Sequence, residues 1–117
     1  FLLPNGDITA PFGKLPNGKI HTGIDYSGKK GDPVYAGADG TVSETKYSSS
    51  LGYYIIISHE NEYTSLYAHL SEINVSEGDT VLRGQIIGKV GASGMATGPH
   101  LHFEIRKNGE AVNPVSP

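Results

Sequence analysis

Short runs of β-branched and aromatic residues, and runs in which apolar and polar residues alternate, recur along the whole chain. Tyr53–Ser58 is of the first kind and Tyr63–Leu70 of the second, and the polar stretch His59–Glu62 between them predicts a hairpin turn. No stretch of a dozen residues has a 3.6-residue period, so we expect little or no helix. Further strands are predicted at Thr41–Tyr47, Gln85–Val90 and Leu101–Lys107, with a turn at Asn108-Gly109 after the last.

A short motif, G-D-x-V-x-x-G, occurs twice, at Gly31–Gly37 and at Gly78–Gly84, and a G-x-V segment follows each copy. Two copies are too few for a solenoid. They favour an all-β fold, a compact two-layer antiparallel β-sandwich or flattened barrel, in which each copy supplies a turn and a strand. We interpret the glycines as turn residues that need a positive φ, rather than as a ligand-binding loop.

Length, charge and cysteine content narrow the classes of function. The 117 residues suit a single domain, and a net charge of −3 without a Lys/Arg run argues against nucleic acid or an anionic membrane surface as a partner. The longest apolar stretches, such as Tyr53–Ile57, are too short to cross a bilayer. Because there is no cysteine, a zinc ion could be held only by histidine and carboxylate side chains. The chain starts at Phe1 rather than Met, so we expect it to be part of a longer protein.

Four of the five histidines fall in three short motifs, the first of which also contains an aspartate. His100 and His102 in H-L-H share one face of a predicted strand, which Glu104 continues. Spacing alone does not decide which of the two would hold a metal. In the extended segment H-T-G-I-D, His21 and Asp25 also align, with Gly23 leaving space between them for an ion. His69 in Y-A-H-L follows Tyr67 on one predicted strand face, and His59 belongs to none of these motifs.

The order of the motifs, H-x-x-x-D, then Y-A-H-L, then G-P-H-L-H-F-E, resembles the lysostaphin/LytM-type zinc endopeptidases of family M23. The resemblance runs from Thr9–Gly13 to Val112-Asn113-Pro114. It implies that residues 1–117 form one peptidase domain, which we expect to be fused to other domains in the full-length protein. It also implies one zinc ion on His21, Asp25 and His102, with His69 and His100 as a catalytic pair that does not bind the metal. Which of that pair is the general base stays open.

The same resemblance implies a substrate and a location, and the sequence departs from the family pattern at one position. The substrate would be the peptides of bacterial peptidoglycan, hydrolysed outside the cytoplasm at the cell wall. Lys14 stands where many relatives carry a longer loop. Irregular segments at Asn5–Lys19, Tyr47–Gly52 and Gly91–Pro99 would form the walls of a substrate groove. Four tyrosines are candidates for lining it, although each of them is equally consistent with packing: Tyr26, Tyr47, Tyr53 and Tyr67.

Two other functions are compatible with a fold of this kind. One is a non-catalytic cell-envelope module that uses its groove for binding, and the second is a sugar-phosphotransfer domain with a duplicated β architecture. The first would be expected to have lost ligands, whereas every implied ligand and both further histidines are present here. The second requires a phosphorylatable histidine but gives no reason for H-x-x-x-D together with H-L-H.

Overall fold

The computed structural model describes residues 1–115, and in this range it contains twelve strands and no helix. This confirms the prediction of an all-β chain. The strands are β1 (Ile8–Ala10), β2 (Gly13–Lys14), β3 (Ile20–His21), β4 (Ile24–Ser27), β5 (Pro33–Tyr35), β6 (Gly40–Ser48), β7 (Gly52–Ser58), β8 (Tyr63–Ile73), β9 (Thr80–Val81), β10 (Ile86–Val90), β11 (His100–Lys107) and β12 (Glu110–Val112).

The longest strand, β8, organises an antiparallel sheet of ten strands. Along the sheet the order is β1-β4-β11-β8-β7-β6-β9, while β10 pairs with both β5 and β8, and β12 pairs with β11. A separate two-stranded sheet joins β2 to β3. The hairpin turns predicted at His59–Glu62 and Asn108-Gly109 are present, and Asn61, Glu62, Asn108 and Gly109 have positive φ. Since β4, β8 and β11 lie side by side, the three histidine motifs meet near the centre of the sheet.

The two copies of the glycine-aspartate motif pair crosswise. Strand β5 of the first copy pairs with β10, which follows the second copy, and β9 of the second copy pairs with β6, which follows the first. The backbone hydrogen bonds match: Val90 N–H donates to the Asp32 carbonyl at 2.8 Å, and Val42 N–H donates to the Asp79 carbonyl at 2.8 Å. Gly31 has φ 96°. Gly78 has the corresponding φ of 92°, so both copies use glycine for the predicted turn.

One apolar core lies between the strands of the two copies and the central sheet. Tyr67 and Phe103 are fully buried at its centre, with ring centroids 5.3 Å apart. Tyr26 is 3% exposed, and it packs edge-on against Phe103. The suggestion that Tyr26 and Tyr67 line a groove is therefore wrong, because both rings belong to the core. The buried core contains Ile24, Tyr26, Val34, Ala36, Val42, Ile55, Ile57, Tyr67, Leu70, Val81, Ile87, Val90, Leu101, Phe103 and Ile105.

Strand β8 does not keep its alternation as far as His69. Tyr67 lies in the core, whereas the His69 ring lies 4.8 Å from the His100 ring, so the two residues do not share a strand face as predicted. The register with β7 shifts between the pairs Tyr53↔Leu70 and Ile55↔Tyr67, which gives β8 one extra residue. His69 has φ 63°, and this left-handed backbone turns its side chain out of the core, as expected of a β-bulge.

The N-terminal segment is more regular than its composition predicts. Within Asn5–Lys19, which we expected to be irregular, β1 pairs with β4 and β2 pairs with β3. Both are short edge pairings, which polar and glycine-rich sequence does not signal. Over the part of the chain that the structure describes, no helix has the length and apolarity needed to cross a membrane.

Candidate metal centre

Two neighbouring strands and the end of a third bring together one carboxylate and two imidazoles. Asp25 on β4 is the register partner of His102 on β11, and His21 ends β3. Asp25 Oδ1 lies 2.8 Å from His102 Nδ1 and 3.4 Å from His21 Nε2. One ligand atom from each of the three residues lies within 4.8 Å of the others. The structure thus brings together the ligand set that the resemblance implied.

The chemistry and spacing of these atoms fit a zinc ion. Zinc in proteins is typically held by imidazole nitrogens and carboxylate oxygens at about 2.0–2.1 Å in tetrahedral geometry, which separates neighbouring ligand atoms by about 3.3 Å. The 3.4 Å between His21 and Asp25 matches this separation. The 2.8 Å between His102 Nδ1 and Asp25 Oδ1 is a hydrogen-bond length, so a proton lies between these two atoms. A metal ion bound to them would replace this proton.

Hydrogen bonds on the far side of each imidazole fix which nitrogen faces the centre. The Nδ1–H of His21 donates to the Pro11 carbonyl oxygen at 2.9 Å, and this leaves Nε2 toward Asp25. The Nε2–H of His102 donates to Glu104 Oε2 at 2.7 Å, and this leaves Nδ1 toward Asp25. Partners of this kind orient metal-binding histidines and set their tautomers.

Glu104, which orients His102, is itself held on both oxygens. Thr22 Oγ1 donates to Oε2 at 2.9 Å, and the Arg106 guanidinium donates to Oε1 from Nε at 2.9 Å and from Nη2 at 2.7 Å. Glu104 is only 4% exposed, so these bonds compensate for burying its charge. Glu104 lies on the strand face predicted for His100 and His102. Arg106 continues the same alternation and Thr22 lies 82 residues from Glu104 in the chain, and neither was predicted to take part.

Gly23 has a different role from the one expected. A Cβ atom at this position would lie 3.1 Å from His102 Cε1, 2.7 Å from Glu104 Cγ, and would overlap the Phe103 carbonyl oxygen. The absent side chain therefore lets the backbone just before β4 approach β11 closely, and atoms of β11 fill the space where a side chain would start. Two residues further along, Asp25 lies within hydrogen-bond distance of its register partner His102.

His69 and His100 lie beside the three candidate ligands. The Nδ1–H of His69 donates to the Ser93 carbonyl at 2.8 Å, and the Nδ1–H of His100 donates to the Gly98 carbonyl at 3.0 Å. On each ring Nδ1 thus faces a backbone carbonyl and Nε2 is the nitrogen on the opposite side, and for His100 this atom lies 3.9 Å from Asp25 Oδ2. A neutral imidazole with a free Nε2 is the form that a general base requires.

Electrostatics differ among these side chains. Burial lowers the pKa of His69 from its ordinary value, so the ring is neutral at neutral pH. Burial also opposes protonation of His102, but hydrogen bonds to Asp25 and Glu104 outweigh it and raise its pKa to about 9. Burial raises the pKa of Asp25, but the hydrogen bond and charge of His102 outweigh it, and the net shift is downward.

The side chains open into a pocket of about 350 Å³. The pocket is lined by His21, Asp25, Leu51, His69, Met95, Ala96, Thr97, His100 and His102. Tyr47 and Tyr53 are exposed and pack edge-to-face 4.9 Å apart on neighbouring strands, so these two groove candidates are accessible to a ligand. His59 lies outside this pocket, where it bonds to the Asp39 carbonyl and to Ser65 Oγ.

Comparison with known proteins identifies the family. A family model described as Peptidase family M23 matches residues 19–114, which include every residue of the centre. The chain belongs to peptidase family M23. This match confirms the resemblance to family M23 that the order of the motifs indicated.

Similarity to individual proteins agrees with this assignment. The chain is 46% identical over 114 residues to the DD-carboxypeptidase/endopeptidase Mpg of Neisseria meningitidis, covering 93% of this chain but 26% of that protein. It therefore spans about a quarter of the length of this relative. A mutant form of the catalytic domain of the prophage-encoded M23 protein EnpA of Enterococcus faecalis superposes with a TM-score of 0.91 at 40% identity, covering 99% of this chain and 96% of that domain. A zinc-containing peptidase of Vibrio cholerae superposes with a TM-score of 0.90 at 37% identity, covering 96% of this chain and 36% of that protein.

Zinc affinity is expected to depend steeply on pH. In the metal-free chain His102 has a pKa of about 9, so below pH 9 a zinc ion bound to Nδ1 must displace one proton. Apparent affinity should rise about tenfold per pH unit from pH 7 to 9 and level off above. Competition with a chromophoric chelator, corrected for the chelator's own protonation, measures this slope. An affinity that is constant between pH 7 and 9 would contradict the assignment of His102 as a ligand.

Proposed function

We propose that this chain is a zinc-dependent endopeptidase that hydrolyses peptide bonds of bacterial peptidoglycan. The observation that carries the proposal is the convergence of His21 Nε2, Asp25 Oδ1 and His102 Nδ1 beside two further imidazoles. Three protein ligands with nitrogen and oxygen donors are typical of catalytic rather than structural zinc sites. We propose that residues 1–117 act as one peptidase domain with a single zinc ion.

In this mechanism His21, Asp25 and His102 would hold the metal, and His69 and His100 would transfer protons. The chemistry that zinc supplies in such a site is Lewis acidity, which polarises a carbonyl group and acidifies water. Glu104 keeps the His102 ring in the tautomer that leaves Nδ1 free for the metal. Asp25 contributes the negative charge that offsets part of the charge of a divalent cation.

The proton path uses the free Nε2 atoms of His69 and His100. One of these atoms accepts a proton from the water molecule whose oxygen attacks the peptide carbonyl carbon. The other donates a hydrogen bond, when protonated, to the carbonyl oxygen as negative charge develops there. When the C–N bond breaks, the transferred proton passes to the leaving amine nitrogen. The ring centroids lie 4.8 Å apart, and this separation supports the proposal that both imidazoles act on one carbonyl group.

The relatives support a finer substrate assignment. Mpg is named a DD-carboxypeptidase/endopeptidase, and a second relative, ShyA of Vibrio cholerae, is named a peptidoglycan DD-endopeptidase. We therefore propose that the scissile bond joins two D-configured centres in the peptide cross-link. Because peptidoglycan lies outside the cytoplasmic membrane, the chain would act in an extracytoplasmic compartment.

Liquid chromatography with mass spectrometry on soluble cross-linked muropeptide dimers tests the proposal. The zinc-loaded chain should convert dimers to monomers with uptake of one water molecule, a chelator should stop the reaction, and added zinc should restore it. A pentaglycine peptide is the control substrate, and cleavage of this peptide but not of dimers would overturn the D,D assignment. Binding to sacculi without hydrolysis of either substrate would instead support the non-catalytic envelope module.

A further inference from the structure

The bulge that turns His69 toward the metal centre interrupts the regular register between β7 and β8. Tyr53 and Leu70 are register partners at this end of the strands, and the register shifts directly after them. At this point the Ser93 hydroxyl lies between the two backbones. It accepts a hydrogen bond from Tyr53 N–H at 3.0 Å and donates one to the Leu70 carbonyl at 2.6 Å.

The carbonyl group of the same serine orients the His69 ring. His69 Nδ1–H donates to the Ser93 carbonyl oxygen at 2.8 Å, and the His69 backbone N–H donates to the Leu51 carbonyl at 2.8 Å. Ser93 thus contacts the residue after His69, the strand beside it and the imidazole itself. The left-handed φ of 63° at His69 is a conformation that such surroundings must stabilise.

Two glycines keep Ser93 in close contact with the start of β7. Gly52 has φ 67°, and a Cβ atom there would overlap the Ser93 side chain. Gly94 has φ 73°, and a Cβ atom there would overlap the Gly52 backbone nitrogen. One residue further, Met95 N–H donates to the Ser50 carbonyl at 3.1 Å. The pocket wall that contains Met95 is therefore fixed to the sheet at Ser93.

We infer that Ser93 is a positioning residue for His69, with its hydroxyl joining β7 to β8 across the bulge while its carbonyl oxygen orients the imidazole. The inference rests on the proposed role of His69 in hydrolysis. It assigns to the loop between β10 and β11 a function in setting the geometry of a proton-transfer group, in addition to forming a wall of the pocket. Ser93 contacts none of the three candidate ligands in the hydrogen bonds recorded for residues 1–115.

The test compares Ser93→Ala with Ser71→Ala in the zinc-loaded chain. Ser71 is the matched control, because its hydroxyl also donates to a backbone carbonyl at the base of this loop, that of Val90 at 2.9 Å, without contacting His69. Ser93→Ala should lower kcat on muropeptide dimers by roughly 10- to 100-fold, the effect of displacing a reacting group by about 1 Å, with KM and zinc content unchanged. Ser71→Ala should leave kcat unchanged, and Ser93→Thr, which keeps the hydroxyl, should restore it.

A second readout does not depend on activity. In protein labelled with 15N-histidine, the His69 Nδ1–H proton, assigned by its absence in His69→Ala, should be visible in the wild type and Ser71→Ala. It should be lost to exchange with water in Ser93→Ala.

Three results would each overturn the inference: a wild-type kcat in Ser93→Ala, an equal loss of kcat in Ser71→Ala, or a retained Nδ1–H signal in Ser93→Ala. If the wild type hydrolyses nothing, the proposed function fails, and the proton signal alone decides the role of Ser93. If Ser93→Ala does not fold, Ser93→Cys and Ser71→Cys, with weaker thiol donors, are compared by the same readouts.

Discussion

Replacing Asp25 by alanine is expected to abolish both zinc binding and hydrolysis while leaving the β fold intact. Asp25 Oδ1 is the atom that lies closest to both other ligands, at 2.8 Å from His102 and 3.4 Å from His21. Its loss removes one of the three proposed ligands together with the negative charge that would face the cation. Zinc affinity should therefore fall by more than the roughly 10- to 100-fold that loss of an outer-shell partner costs.

The fold should survive Asp25→Ala because the side chain belongs to the site rather than to the core. Asp25 is partly exposed, whereas its neighbours Ile24 and Tyr26 supply the buried contacts of β4. Asp7→Ala is the matched control, since Asp7 is an exposed carboxylate before β1. Zinc content by atomic spectroscopy, dimer hydrolysis and far-UV circular dichroism are measured on both variants. Stoichiometric zinc in Asp25→Ala, or zinc lost equally in Asp7→Ala, would refute the assignment of Asp25.

Local sequence pattern predicted several of the longer strands, including β11, which carries His100 and His102. The apolar and β-branched runs at Tyr53–Ser58 and Leu101–Lys107 correspond to β7 and β11, because a half-buried strand imposes its two-residue period on the sequence. The same period placed His100, His102 and Glu104 on one face. It did not by itself distinguish ligand from base, and the ligand set came from the order of the motifs.

Features that depend on contacts between distant segments were not predictable in this way. The position of His69 depends on the bulge in β8 and on Ser93, which is 24 residues away in the chain. Strict alternation would place His69 on the same strand face as Tyr67. Only the residue inserted at the bulge and the left-handed backbone of His69 place its side chain on the opposite face. The crosswise pairing of β5 with β10 and of β9 with β6 is likewise a long-range choice. A repeat in the sequence shows that two segments are alike, but not which strands they pair with.

Replacing His69 by alanine is expected to leave the zinc in place and to lower the rate of hydrolysis by about 10²- to 10⁴-fold, the usual contribution of a positioned general acid or base. The ring is not among the three candidate ligands, and its Nδ1–H bonds to a backbone carbonyl, so Nε2 is free to accept a proton. Steady-state hydrolysis of muropeptide dimers, together with zinc content, separates this outcome from metal loss.

The backbone at His69 requires a second substitution as a control. Because φ is 63°, alanine is strained at this position, whereas asparagine is one of the few residues that adopt left-handed backbone readily. His69→Asn therefore removes the imidazole while retaining the bulge, and its rate should fall as far as that of His69→Ala. If His69 and His100 act in one proton path, the double variant should lose little more than the more impaired single variant, because residues that act as a unit are not additive. Near-wild-type turnover in His69→Asn would show that the imidazole has no part in the reaction, since zinc, Ser93 and the bulge would all remain.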